Sequence, residues 1–180
     1  MTTYQLHAVL SAAQSNVYAL AGTSDQTLVM PPAFQVAAPF GTDVGGVSPA
    51  FFPVNADAEF DSWLTIGATD GSAGAALSTI GLGLDGWSLS AGVSADNGAV
   101  FWMNPNDGPG GTDPICLAQI TVAEGSGVSA AGVLQGRSVS GDDWRALITW
   151  DSGGGGGGSG PAPPPPPPPP PTPPPTPPPT

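Results

Sequence analysis

His7 is the only histidine and Cys116 the only cysteine among 180 residues, so a metal centre built on imidazole or thiolate is excluded by counting. Ser-His-Asp chemistry would need His7 to meet a nucleophile, and no nucleophile elbow occurs anywhere in the chain. His7 sits among apolar neighbours in YQLHAVLSA and reads as a surface or partly buried structural imidazole. No phosphate-binding or dinucleotide-binding glycine motif is present. Asp57, Glu59 and Asp61 alternate, which would set three carboxylates on one face of a strand. Two of them flanking a sugar would make a glycosidase pair. The simpler expectation is a solvated strand edge whose charge discourages unwanted pairing. This inventory predicts no enzyme.

A hard cation is the remaining inorganic candidate. NPNDGPGGTD is a long oxygen-rich loop, with Asn104, Asn106, Asp107 and Asp113 as candidate Ca²⁺ ligands and Asp96-Asn97 or Asp142-Asp143 as neighbours. No spacing matches an EF-hand, and the same residue types are plain turn formers. No other cofactor is expected. The five tryptophans open a carbohydrate-binding reading, because an exposed indole stacks on a pyranose face. Trp63, Trp87, Trp102, Trp144 and Trp150 all lie in apolar strand patterns, so core packing is the default, with Trp102 beside the Asn104 loop the candidate for exposure.

The last twenty residues, PAPPPPPPPPPTPPPTPPPT, can join neither a helix nor a sheet ladder, since proline fixes φ and removes the backbone donor. They predict a polyproline II rod with about 3 residues per turn. Thr172, Thr176 and Thr180 recur every four residues, so successive hydroxyls turn by about 120° and visit all sides of the rod. A rod made for one aromatic groove would keep its key residues on one face. Hydroxyls all round fit an O-glycosylated stalk; the alternatives are an undecorated spacer or an SH3-type ligand.

Long proline runs punctuated by Thr resemble the hydroxyproline-rich glycoproteins of algal and plant extracellular matrices. The resemblance covers the tail alone and departs from the extensin pattern of Ser before the prolines. It departs equally from the Cys-rich pherophorin heads. It implies glycans on Thr172, Thr176 and Thr180 and hydroxylation or glycosylation at Pro163, Pro167, Pro171, Pro173, Pro174, Pro175, Pro177, Pro178 and Pro179. In the head, FDSWLTIG, GAVFWMNP and LQGRS resemble runs in an uncharacterised secreted β module, which brings no catalytic residues with it.

Two basic residues, Arg137 and Arg145, stand against fourteen acidic ones for a net charge of −12. No basic patch can form, which argues against nucleic acid or an anionic membrane as partner. No apolar run is long enough for a spanning helix, so no membrane insertion is expected. MTTYQLHAVL lacks the features of a signal peptide, so secretion would require a leader removed earlier or a longer chain. No Asn-x-Ser/Thr sequon occurs, so any glycan is O-linked. Cys116 lies in the apolar run ICLAQITV and reads as a small buried hydrophobe.

Helix periodicity is absent, while strand signals recur between Gly, Asp, Asn and Pro clusters. The clearest is DDWRALITW, with Trp144, Ala146, Ile148 and Trp150 on one face and Arg145, Leu147 and Thr149 on the other. STIGLGLDGW reads similarly, with Ile80, Leu82 and Leu84 on one side and Gly81 and Gly83 marking a bend or close approach. LVMPPAFQVA, broken by Pro31 and Pro32, reads as an edge or two short pieces. YQLHAVLSA, NVYALAG, AEFDSWLTIG, AVFWM, CLAQITVA and AGVLQGRSV complete eight to ten strands. They predict an antiparallel β-sandwich over 1–152, jelly-roll or immunoglobulin-like, then a Gly-rich linker at 153–160 and the rod at 161–180. The expected function is a structural subunit of an extracellular fibre or matrix that self-associates. The alternative is a carbohydrate-binding or adhesion module on a stalk.

Overall fold

The structure is a computed structural model and describes residues 1–152. The linker, the proline-rich segment and its candidate modification sites at Thr172, Thr176, Thr180 and the prolines lie outside the described residues. The described chain is all-β, with antiparallel sheets and short 3-10 turns but no α-helix.

Ten strands form two sheets. The smaller sheet holds β1 (Thr2–Ala8), β8 (Ile115–Val122) and β4 (Trp63–Leu64), in the order β1-β8-β4. The larger holds β2 (Ala19–Gly22), β3 (Leu28–Met30), β5 (Leu77–Ile80), β6 (Val93–Ala95), β7 (Gly98–Trp102), β9 (Ser129–Arg137) and β10 (Asp143–Asp151). Register reduces these seven to five positions. Along β9, Ala21 pairs with Val133 and Val29 with Ala131, so β2 and β3 form one line interrupted by residues 23–27. Gly22 pairs with Gly98 and Leu28 with Ala95, so β7 and β6 form the next line. The sheet therefore runs β5, then β7 with β6, then β2 with β3, then β9, then β10.

The core lies between the sheets. Leu6, Leu64, Ile120 and Val122 meet Leu20, Leu28, Met30, Val100 and Leu134, all buried. Each such side chain contributes on the order of 1.5–3 kcal/mol when fully buried. β10 alternates as its sequence requires, with Trp144, Ile148 and Trp150 half-buried against this core and Arg145, Leu147 and Thr149 turned outward. Trp150 Nε1 donates to His7 O at 3.4 Å, so β10 and β1 mark one side of the molecule.

Several expected elements differ. Ile80 is 66 % exposed while Leu82 is buried, so they do not share a face. Gly81, at φ 67°, ends β5 and turns the chain there. β3 is no edge, because β6 and β9 flank it and the ladder stops at Met30, before Pro31. Residues 56–60 form a 3-10 turn rather than a strand, started by the Asn55 side chain accepting Asp57 N–H at 3.1 Å. Asp57 and Glu59 are exposed on that turn and Asp61 is buried, so the three carboxylates share no face.

Candidate functional site

Residues 31–62 make no ladder of their own; one buried carboxylate ties the segment to itself, and β8 holds it to the small sheet. Asp61 Oδ1 accepts Val36 N–H and Asp61 Oδ2 accepts Thr42 N–H, each at 2.7 Å. Burial pushes its carboxyl up to about 6, against the opposing pull of the Thr42, Val36 and Ser62 backbone donors. Gln119 of β8 donates through Nε2 to Glu59 O at 3.0 Å and Asp61 O at 2.8 Å. Ser62 Oγ accepts Thr121 N–H at 2.9 Å. These bonds let β8 be buried along its whole length although Gln119 and Thr121 are polar, because every such group finds a partner.

The segment so held carries a cluster of Val47, Ala58, Trp63 and Cys116, with Phe40 and Phe52 packed on it. Beyond it lies a trough of about 700 Å³, lined by Phe40, Thr42, Ser48, Phe51, Asp70 and Ser72 among others. The Phe40 and Phe51 rings meet edge to face, 5.8 Å apart at 81°. Phe51 ends a 3-10 turn, Pro49–Phe51, that Ser48 caps by accepting Ala50 N–H. The peptide Ala38–Pro39 at the mouth is cis. The floor is glycine-rich for a steric reason. Gly46 has φ 79°, and a Cβ there would stand 2.0 Å from Thr69 O.

The trough opens where both sheets stop. Leu77, the first residue of β5, lines it, and Val44 bridges Leu64 of β4 in parallel. Asp70 sits on the rim, its carboxyl held below the usual range by the Ser72 hydroxyl and the Ser72 N–H. A second hollow of about 380 Å³ adjoins it, lined by Thr42, Asp43, Thr79, Ile80 and Asp85. Burial raises the Asp43 carboxyl, and the charge of Asp85 adds to that. The combination of an apolar aromatic pair, hydroxyls and a charged carboxylate suits an uncharged, hydroxyl-bearing or carbonyl-bearing ligand.

The candidates singled out in the sequence fall elsewhere. Asn104 Oδ1 accepts Asn106 N–H at 3.2 Å, capping the turn Pro105–Asp107, while Asn106, Asp107 and Asp113 are exposed. That loop is seated on the start of the chain: Val17 N–H donates to Pro109 O at 2.9 Å and Asn16 Nδ2 to Pro105 O at 2.8 Å. Among the described residues no three His, Cys, Asp or Glu side chains converge as a metal site. Asp143 is engaged by Arg137 at 2.9 Å and by the Tyr18 hydroxyl at 3.1 Å. His7 is exposed. Cys116 is buried, its thiol pushed up to about 11 by burial, which makes it a poor nucleophile.

The tryptophans are pins. Trp63 and Trp87 are buried. Trp87 Nε1 donates to Pro31 O, Trp102 Nε1 to Ile66 O, and Trp144 Nε1 to Asn16 O and Arg137 O, all within 3.0 Å. Trp102 is half-buried in that role. The aromatic pair of the trough was missed in the sequence, although one signal was there. Three of the six phenylalanines, at 40, 51 and 52, fall between LVMPPAFQVA and AEFDSWLTIG, in a stretch read as no strand. No helix among the described residues is long and apolar enough to cross a membrane. Comparison with protein families, with curated proteins and with solved structures returned no match.

Proposed function

We propose that this chain is a structural, non-enzymatic subunit of an extracellular glycoprotein fibre or matrix. A two-sheet sandwich head makes the specific contacts, and an O-glycosylated polyproline stalk supplies length and a sugar coat. The observation that carries this reading is the tail, with twenty residues of proline, threonine and one alanine and Thr172, Thr176 and Thr180 at four-residue spacing. The head supports it by the way it ends. Ser152 donates its N–H to Val128 O at 2.8 Å, and its hydroxyl accepts Val128 N–H at 2.6 Å, which fixes the point from which the tail departs.

Intact-mass measurement on protein purified from its natural source tests this. The expected spectrum carries increments for proline hydroxylation and for pentose or hexose. A mass equal to the bare sequence refutes the glycosylated stalk.

A carbohydrate-binding module is the second reading, favoured by the aromatic, hydroxyl-lined trough. Its stacking side chain would be Phe51 rather than Trp102, whose indole N–H is committed to Ile66 O. Selective binding on a glycan array, lost in Phe51→Ala, would support it.

A further inference from the structure

We propose that the trough beside Phe40 and Phe51 binds the proline-rich segment 161–180 of a neighbouring copy of this chain. The inference deepens the fibre reading by naming its contact.

Donor and acceptor start from different sides of one molecule. The tail departs after Ser152, clasped to Val128 at the end of β10, the outermost strand of the large sheet. The trough opens at the opposite side, beside β5 and β4. Four strand spacings of about 4.8 Å put these sides ~19 Å apart. A donor segment and a receptor on different parts of the chain make, between copies, a heterologous contact, which repeats into an open filament unless the rotation closes a ring.

Chemistry matches the occupant. Polyproline II segments offer pyrrolidine rings and bare carbonyls and give no backbone N–H, so their receptors are aromatic surfaces with donors alongside. Phe51 is 38 % exposed and stands edge to face with Phe40, supplying the apolar ridge. The Ser48 hydroxyl accepts Ala50 N–H and keeps its proton for a carbonyl. Asp70 at the rim accepts from hydroxyls, which both an undecorated threonine and a sugar on the rod carry. Gly45, Gly46 and Gly71, all at positive φ, shape the wall by letting its own backbone segments pack closely.

Charge points to the same partner. All two basic and fourteen acidic side chains lie before residue 153, and segment 161–180 has none. Heads repel one another, whereas the rod approaches an acidic head without that penalty.

The test uses isotope-labelled chain in which 161–180 is replaced by a Gly/Ser stretch of equal length, titrated with a synthetic peptide of sequence 161–180. The expected result is amide shifts concentrated at residues 39–51 and 70–77, with binding weakened at least tenfold by Phe51→Ala and kept by Phe51→Trp. Ser72→Arg, an exposed substitution on the trough wall, should block the peptide without disturbing amides elsewhere. Shifts on another surface overturn the proposal, as does affinity indifferent to both Phe51→Ala and Ser72→Arg. So does a neutral oligosaccharide that occupies residues 39–51 where the peptide does not. A negative peptide result leaves the fibre reading to its own mass test.

Discussion

Replacing Asp61 by Asn should reverse the order of stability between wild type and variant across the acidic range. The folded carboxyl lies at about 6 against 3.8 for the free group. Between those values the unfolded chain has lost a proton that the folded chain still holds, so stability falls as pH rises through that window. At 1.36 kcal/mol per pH unit the deficit is about 3 kcal/mol, complete above pH 6 and absent below 3.8. Asp61→Asn removes this titration. It also turns an amide N–H₂ toward one of the Val36 and Thr42 donors, leaving a buried N–H unpaired at a cost of about 1–3 kcal/mol at every pH. The variant should therefore be the less stable protein at pH 3 and equal or superior at pH 7. Urea unfolding at both values measures it, with a relative midpoint shift of about 1–2 M for an m-value typical of this size. A wild-type and variant difference that is the same at both pH values would refute the reasoning.

Three further outcomes follow from contacts described above. Asn16→Ala removes the acceptor for Arg137 N–H at 2.8 Å and the donor to Pro105 O, and should cost about 2–4 kcal/mol in chemical denaturation. Gly46→Ala forces a side chain against Thr69 O at a positive φ, so thermal melting should drop by several degrees, whereas Gly111→Ala, with open space around it, should cost less. The Cys116 thiol should resist a disulfide reagent at pH 8 in the native protein and react promptly in denaturant, as a buried group pushed to about 11 requires.

Legibility in the sequence followed periodicity. β10 was readable because an edge strand with one buried face must alternate, and DWRALITWD does so without a break. β8 was readable as a strand but not as one buried on both faces, since Gln119 and Thr121 argue against burial until Asp61, Ser62 and Thr3 supply their partners. The collinear pairs β2 with β3 and β7 with β6 were not readable, because register across an interruption is set by the neighbouring strand. The trough was the least legible part. Thr42 in its wall, and Val36 earlier in the chain, are held by one carboxylate 19 and 25 residues farther on, a tertiary bond with no local pattern. Asp61 looked like one of three alternating acids, and only burial separates it from Asp57 and Glu59.

Electron microscopy of the protein as purified from its source, at physiological ionic strength, tests the central claim most directly. The account predicts filaments or a matrix in which heads repeat along a thin, sugar-coated axis. Screening over roughly 10 Å at 0.1 M salt should let the short-range contacts win over a net charge of −12, and the assemblies should loosen at low ionic strength. Dispersed single heads across the whole salt range would contradict it.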